Sequence, residues 1–490
     1  VTGEQTLFET RLYIDGELRR AEGDRTFDDI SPWSGRVIGK VAHASPADVA
    51  QAIAAARRAF DTTNWSKDHA GRVTLLEKLR DLFVANRERL VRLVVDEAGS
   101  TPFFARMAQV EMALEGYRDL IDVSRKLVWE EDRGQRGPHG RVTRRIVLRE
   151  AAGVVGAITP FNVPFYVIVE KVVSAILAGC TVVLKPSPYT SALGAMWGEL
   201  ATEARFPAGV LNIVTGPEPD LGEQLVTDPR VDLITFTGSS AVGKSIMQMG
   251  GPTLKRVLLE LGGKSAKIIL DDVPDFAREV ASSILVGNSG QGCIAQSRLL
   301  VSRARYAEAV DALKGAYATF DGKWGNYDDQ QSMMGPVISR RQMERIKGFI
   351  EQGVKEGASL IAGGNIRPDK GGFFVEPTCF VDVTNDMTIA QEEIFGPVLA
   401  VIPYEDEDDA VRIANDSGYG LSGGIASGDT DRALRVAARI RSGTVSINGG
   451  RCVDGDLPFG GYKASGLGRA WGVEGLEDYT MTKVVAYRVG

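Results

Sequence analysis

The sequence predicts an α/β protein of two compactly joined domains, and three observations predict it. At 490 residues, the chain exceeds what one hydrophobic core holds, since single cores stop growing near roughly 250 to 300 residues. From Ile146 onward, short β-rich runs alternate with helical ones: VVGAIT, VEKVVSAILAG, TVVLKP, SALGAMWGELATEA, VLNIVTG, then DLITFTG leading into SSAVGKSIMQMGG. Such alternation marks βαβ units and a parallel sheet. A second α/β region runs from about Gly262 to Gly461, with KIIL, a helix near 275–287, RLLVS, helices near 305–320 and 341–356, VLAVIPY and TVSIN.

The elements before these have their own signals. In ASPADVAQAIAAARRAF, Ser45 stands as N-cap, Pro46 at the first helical position and Asp48 in the capping-box place, with Val49, Ile53 and Phe60 on one face. A second helix is expected over 72–97. AAGVVGAITPFNVPFYVIV, Ala151 to Val169, has 19 residues without a charge, which is membrane-span length. Pro160, Asn162 and Pro164 interrupt it, so it reads as a buried strand, a loop and the start of a helix. The stretch 129–149 is charged and ends in RRIVL, while the carboxy-terminal TMTKVVAYRVG has strand character. These two are expected to pair with each other or with another subunit.

Composition narrows the function. Basic residues number 57 and acidic residues 64, giving a net charge of -7, and no Lys/Arg cluster interleaved with aromatics stands out, so nucleic acid is not an expected partner. The four cysteines, Cys180, Cys293, Cys379 and Cys452, are far apart, without the spacing of a metal site or a disulfide framework. A cytoplasmic setting fits. The opening VTGEQTLFETRLYIDGE has early acidic residues and no apolar stretch of signal-peptide length, so neither secretion nor a membrane is expected.

NSGQGCIAQ, Asn288 to Gln296, carries the chemistry. Core cysteines usually sit in apolar runs, but Cys293 follows a glycine among small and amide residues. A nucleophilic cysteine needs a base, donors for the oxyanion it creates and something to accept electrons or an acyl group. The three histidines, His43, His69 and His139, lie in no site-like setting. Glu260 in LLELGGKSA is the base candidate, because apolar surroundings raise a carboxyl pKa; a salt-bridged strand end is the alternative. Asn162 is the oxyanion-donor candidate, or else a helix cap. FTGSSAVGK places Gly238 and Gly243 in a strand-to-helix turn of the kind that approaches a pyrophosphate. Lys185 in VVLKPSP stands where a ribose would be met, or is a surface lysine.

Together the motifs resemble the aldehyde dehydrogenase superfamily over nearly the whole chain: PFN at Pro160, KPSP at Lys185, FTGSSAVG at Phe236, LELGGK at Leu259, GQGC ending at Cys293, EEIFGPV at Glu392 and PFGGYKASGLGR at Pro458. The resemblance implies a Rossmann-type NAD(P)-binding domain (1–128 and 150–261), an α/β catalytic domain (262–463) and a small β oligomerisation element (129–149 and 477–490) of a homodimer or homotetramer. It makes Cys293 the nucleophile toward an aldehyde, Asn162 and the Cys293 N–H the oxyanion donors and Glu260 the base that activates water, with Lys171 retained beside them. Cofactor contacts carry over to Thr159, Pro160, Phe161, Lys185, Ser187, Pro188, Gly238, Ser239, Gly243, Leu261, Gly262, Glu393 and Phe395. No metal is implied.

Three positions depart from the family pattern. Pro188 stands where NAD-preferring relatives have a glutamate that binds both ribose hydroxyls, so NADP becomes admissible; NAD stays ahead because KPSPYTS brings no new arginine. Glu170 replaces a tunnel tryptophan and is expected either to disfavour acidic substrates or, preferably, to point elsewhere. Ala470 replaces a glutamate, which puts in doubt any proton relay through it. Carried-over tunnel positions are Phe161, Phe165, Tyr166, Val167, Ile294, Val453 and Phe459, mostly bulky and apolar, which implies aromatic, terpenoid or medium-chain aldehydes. Arg451 leaves a semialdehyde carboxylate as an alternative. A CoA-acylating relative and a catalytically silent one are the remaining alternatives, and the retained Glu260 speaks against the first.

Overall fold

Two large sheets and one small one organise the chain, seen in a computed structural model that describes residues 9–138, 141–320, 322–327, 329 and 332–489; His139 lies outside the described residues. The eight-stranded sheet is built on five parallel strands, β1 (Val154–Ile158), β2 (Thr181–Lys185), β3 (Leu211–Ile213), β4 (Leu233–Thr237) and β5 (Arg256–Glu260), in the order β3-β2-β1-β4-β5. Chain order reverses between β1 and β4. In open parallel sheets such a reversal leaves a crevice at the carboxyl ends of the strands, where ligands bind. The residues at that crevice are those following Ile158 and Thr237.

The second sheet has seven strands around parallel β6 (Ala266–Ile269), β7 (Arg298–Ser302), β8 (Thr378–Val381), β9 (Val398–Tyr404) and β10 (Gly423–Ala426), in the order β8-β9-β7-β6-β10. Its helix expected near 275–287 is shorter, Phe276–Ala281. Asn288 and Ser289 take left-handed backbone angles (φ 46° and 55°) just downstream, which a helix cannot accommodate, and the chain turns there toward Cys293.

Helix α1 (Pro46–Thr62) has the expected capping box, with Ser45 and Asp48 each bonded to the other's backbone. The single helix expected over 72–97 is two, α2 (His69–Ala85) and α3 (Arg87–Ala98). Asn86 separates them: its backbone leaves the helical region, and its Nδ2 donates to the Leu82 carbonyl at 2.9 Å, closing α2. The charge-free segment resolves into β1, a loop and a buried rod made of Pro164–Ile168, a π-helical turn Val169–Val173 and Ser174–Leu177. Among the described residues no helix is long and apolar enough to cross a membrane.

The segments left without partners by the sequence pair with each other. Strands Glu130–Arg136, Thr143–Ala151 and Thr480–Arg488 form an antiparallel sheet with Thr143–Ala151 in the middle, the carboxy-terminal strand registering from Thr480↔Ala151 to Arg488↔Thr143. Met481, Val484 and Tyr487 on that edge strand are exposed.

Candidate active site

The crevice at β1 and β4 opens into a cleft of about 1220 Å³, counting its mouth. Pro160, Phe161 and Asn162 enter it from the end of β1, Gly238 and Ser239 from the end of β4, and Leu261 and Gly262 from the end of β5. The second sheet supplies Cys293, Glu393 and Phe395. Ser239 caps helix α4 (Ser240–Gly250), accepting from the Val242 N–H, so a helix N-terminus borders the cleft.

Close backbone contacts hold the two halves of the site. Glu393 accepts from the Gly263 N–H at 2.9 Å, and a Cβ on Gly262 would lie 2.3 Å from Glu393 Oε2. Gly290 (φ 70°) passes so near the Gly396 carbonyl that a Cβ would sit 2.2 Å from it; only glycine fits that turn. Gly243 has a different task from the one expected. A Cβ there would lie 2.7 Å from the Leu261 side chain, so it lets the helix lie close on β5 rather than letting backbone reach a ligand.

Asn162 is not a helix cap. The Pro164–Ile168 helix has Val163 at its N-cap position and no side-chain cap. Asn162 Nδ2 instead donates to the Gln291 carbonyl at 3.0 Å, while Asn288 Nδ2 donates to the Asn162 carbonyl at 2.8 Å and reaches Gln291 O at 3.3 Å. A second Nδ2 hydrogen remains for the cleft. Glu260, at the end of β5, forms no ion pair among the described residues, and its Oε2 is buried without a hydrogen-bond partner. Burial first, then the Glu170 charge, hold this carboxyl well above the usual range, against Lys171 and Arg469. Burial likewise pushes the Cys293 thiol up to about 12, with the charges of Glu393, Glu260 and Glu170 adding and the Ile294 N–H opposing. In this state the nucleophile is a thiol.

Lys185 is not a surface lysine: it is 6% exposed, donates to the Gly216 carbonyl at 3.3 Å, and burial lowers its ammonium to about 8. Thr159 follows β1 with its N–H on the Lys185 carbonyl and its hydroxyl buried without a partner. Ser187 caps the short turn that begins at Pro188, and the next residue, Tyr189, reaches the cleft wall with its ring edge-on to Phe161. Sequence reasoning missed Tyr189, and it missed Ser339, Gln342 and Arg345 from helix α5 (Arg340–Lys355). Arg345 ties that helix to the Glu393 and Ile394 carbonyls. The one available signal was Ser339 as N-cap of an amphipathic run.

Three tunnel assignments need correction. Phe165 is fully buried with its ring centroid 5.0 Å from Phe83 and 5.9 Å from Trp197; it packs the core, because the rod carrying it is covered on that side. Glu170 does not point away. It is 5% exposed and turned inward, accepting from Lys171 Nζ at 3.0 Å. Arg451 is exposed but engaged, 3.1 Å from Asp454 and 3.5 Å from Glu115. Tyr166 stacks on Trp471 at 4.8 Å, Val453 is half-buried, Ile294 is 40% exposed, and Val167 and Phe459 are buried.

The profile of the aldehyde dehydrogenase family matches residues 19–485. The chain belongs to the aldehyde dehydrogenase family. It is 40% identical over 480 residues to 3-succinoylsemialdehyde-pyridine dehydrogenase from a Pseudomonas species, covering 97% of this chain and 98% of that one. The crystal structure of an aldehyde dehydrogenase from Mycobacterium tuberculosis with NAD+ superimposes with a TM-score of 0.92 at 40% identity, over 97% of each chain. Betaine aldehyde dehydrogenase from Staphylococcus aureus, also with NAD+, gives 0.93 at 34% identity over 98% of this chain and 95% of that one. Membership makes the protein an oxidoreductase of the aldehyde group, with a small-molecule aldehyde as substrate.

Proposed function

We propose that the protein oxidises a neutral, hydrophobic aldehyde to its carboxylic acid with NAD and water. The observation that carries this reading is the meeting of Cys293, Asn162 and Glu393 on one cleft with the unpartnered carboxyl of Glu260 buried behind it. The cleft fits a dinucleotide: the helix N-terminus at Ser239 faces it, Glu393 and Phe395 stand at its inner end, and Lys185 closes β2 beside it. NAD is supported by the complexes of the structural relatives; Pro188 supplies no carboxylate against NADP. When bound, the oxidised cofactor supplies the hydride acceptor and a positive charge in a cleft whose carboxylates otherwise hold Cys293 as a thiol.

Cys293 adds to the aldehyde carbon, and the oxyanion is met by the second Asn162 Nδ2 hydrogen and by the Cys293 N–H, which has no other acceptor among the described residues. After oxidation the acyl group is a thioester on Cys293. Glu260 then takes a proton from water, and the new C–O bond replaces the C–S bond, freeing the acid. A base in this place favours hydrolysis over transfer to CoA.

The neutral substrate is supported by Tyr166, Trp471, Val453 and Ile294 around the tunnel, by the inward carboxylate of Glu170 and by the engagement of Arg451 with two acids. A carboxylated semialdehyde is the second reading, favoured by the name of the Pseudomonas relative. The division into a cofactor domain (1–128, 150–261) and a catalytic domain (262–463) is supported by the two separate sheets. A homo-oligomer assembled through 129–149 and 477–490 is supported by the apolar side chains on the exposed edge strand, and a cytoplasmic setting by four unpaired cysteines. Cys293→Ala tests the whole: aldehyde oxidation is abolished while NAD still binds, and full residual activity would refute the nucleophile.

A further inference from the structure

On the reading above, Glu260 collects a proton in every turnover, yet it is 6% exposed and its Oε2 has no partner. A base so placed works again only after another group has taken that proton. The neighbouring rod supplies one. Its π-helical turn, Val169–Val173, carries Glu170 and Lys171 in succession, and both are buried, with side chains 7% and 2% exposed. Single π turns in helices are often found at functional sites, and a buried ion pair is a costly way to fill a core.

The pair is tied to the strand beside the base. Lys171 Nζ donates to Glu170 Oε1 at 3.0 Å and to Thr235 Oγ1 at 3.2 Å, and the Thr235 hydroxyl also accepts from the Tyr479 hydroxyl at 3.0 Å. Thr235 lies on β4, registered with Leu258, two residues before Thr237, which is registered with Glu260. Alternate residues share a face, so Lys171 sits one pleat, about 7 Å along the sheet, from the Glu260 position. Glu170 and Lys171 both act electrostatically on Glu260, and Glu170 on Cys293, Tyr166 and Tyr479 as well. Arg469 and Asp478 also face Glu260. Four residues upstream of Glu170, half-buried Tyr166 meets Asp119, Asp454 and Arg451, and the last two are partly exposed.

We propose that Glu170 is the proton acceptor that empties Glu260, with Lys171 as the link between them. Water loses a proton to Glu260 as its oxygen bonds the thioester carbon and the C–S bond to Cys293 breaks. Glu260 then passes that proton to Lys171 Nζ while Lys171 passes one to Glu170 Oε1. The net change is one proton moved from Glu260 to Glu170, with no change of oxidation state, and Glu170 releases it to solvent on the Tyr166 side. Glu170 touches neither substrate nor cofactor; it acts through Lys171.

The proposal rests on Glu260 being the base, and the experiment separates the two. Glu170→Gln keeps an acceptor for Lys171 but has no place for a proton. Its expected signature is a kcat at neutral pH reduced about tenfold or more and rising with pH as hydroxide replaces the missing acceptor. First-turnover cofactor reduction keeps its amplitude, and the aldehyde KM stays within about twofold. Glu170→Asp restores the flat profile. A kcat–pH profile for Glu170→Gln matching the parent overturns the proposal, and so does an equal loss of first-turnover and steady-state rates. If Glu260→Gln is slow and Glu170→Gln is not, only this proposal falls; if Glu260→Gln turns over like the parent, the base falls and the proposal with it. Should Glu170→Gln fail to fold, the parent decides in H2O/D2O mixtures under deacylation-limited conditions. There a bowed dependence of kcat on deuterium fraction, from two or more protons in flight, is expected, and a linear one overturns it.

Discussion

Asn162→Ala tests the oxyanion site most directly, because the structure separates its catalytic cost from its structural one. The side chain makes one hydrogen bond, Nδ2 to the Gln291 carbonyl at 3.0 Å, and that carbonyl keeps Asn288 Nδ2 at 3.3 Å when the amide is gone. The Asn162 backbone is held separately, by Asn288 at 2.8 Å. The fold therefore loses about 1 kcal/mol, the net worth of one hydrogen bond. The transition state loses a positioned donor, typically about 3 kcal/mol, or roughly two decades of rate at about 1.4 kcal/mol per decade. Because the oxyanion forms both when Cys293 attacks and when the thioester is hydrolysed, first-turnover and steady-state rates both fall. Stopped-flow cofactor reduction, steady-state turnover and titration of NAD binding measure all three quantities. A variant within about threefold of the parent kcat, with NAD binding intact, would show that the oxyanion is held elsewhere.

Phe165→Ala should behave as a core deletion and not as a tunnel mutation: about 3 to 5 kcal/mol of stability lost, read by denaturant unfolding, with the aldehyde KM unchanged across a panel of ring sizes; a KM shift that tracks ring size would put the ring back in the tunnel. Asp29 and Glu97 give a pH dependence. Burial raises Asp29 to about 7, and burial followed by the Asp29 charge raises Glu97 well above its ordinary value, against the Ala192 and Leu193 N–H groups it accepts from. The folded state then binds more protons than the unfolded one, so the contribution of Asp29 is fully present below about pH 4 and is lost as pH rises through about 7, at up to about 1.4 kcal/mol per unit. Asp29→Asn should lose less stability than the parent between pH 5 and 7, measured by thermal or urea unfolding; an identical slope refutes the assignment.

Features made by adjacent residues were legible in the sequence. The Ser45–Asp48 box is local chemistry, and the strands β1 to β5 announce themselves as short β-branched runs closed by glycine or proline. Cys293 stood out because its neighbours gave it no core to belong to. Illegible features depend on what lies across the fold. Helices α2 and α3 read as one because nothing in the composition marks Asn86, and the break rests on its side chain turning back to Leu82. Arg345 reaches Glu393 from 48 residues away in sequence, where spacing carries no information.

The rod at 164–177 explains the remaining errors by one physical cause. A surface helix shows its core-facing side as an apolar stripe, and periodicity then says where each side chain points. This rod is buried on nearly every side, so apolar residues recur all round it and no stripe distinguishes Phe165, which faces Phe83 and Trp197, from Tyr166, which faces the tunnel side. Helical spacing itself fails at the π turn, because the extra residue per turn moves every side chain after it. Two adjacent charges read most naturally as a solvated surface, with Glu170 turned out. Only the fold shows that Thr235 and Glu260 are placed to receive them, and that a carboxylate in the interior has a base to serve.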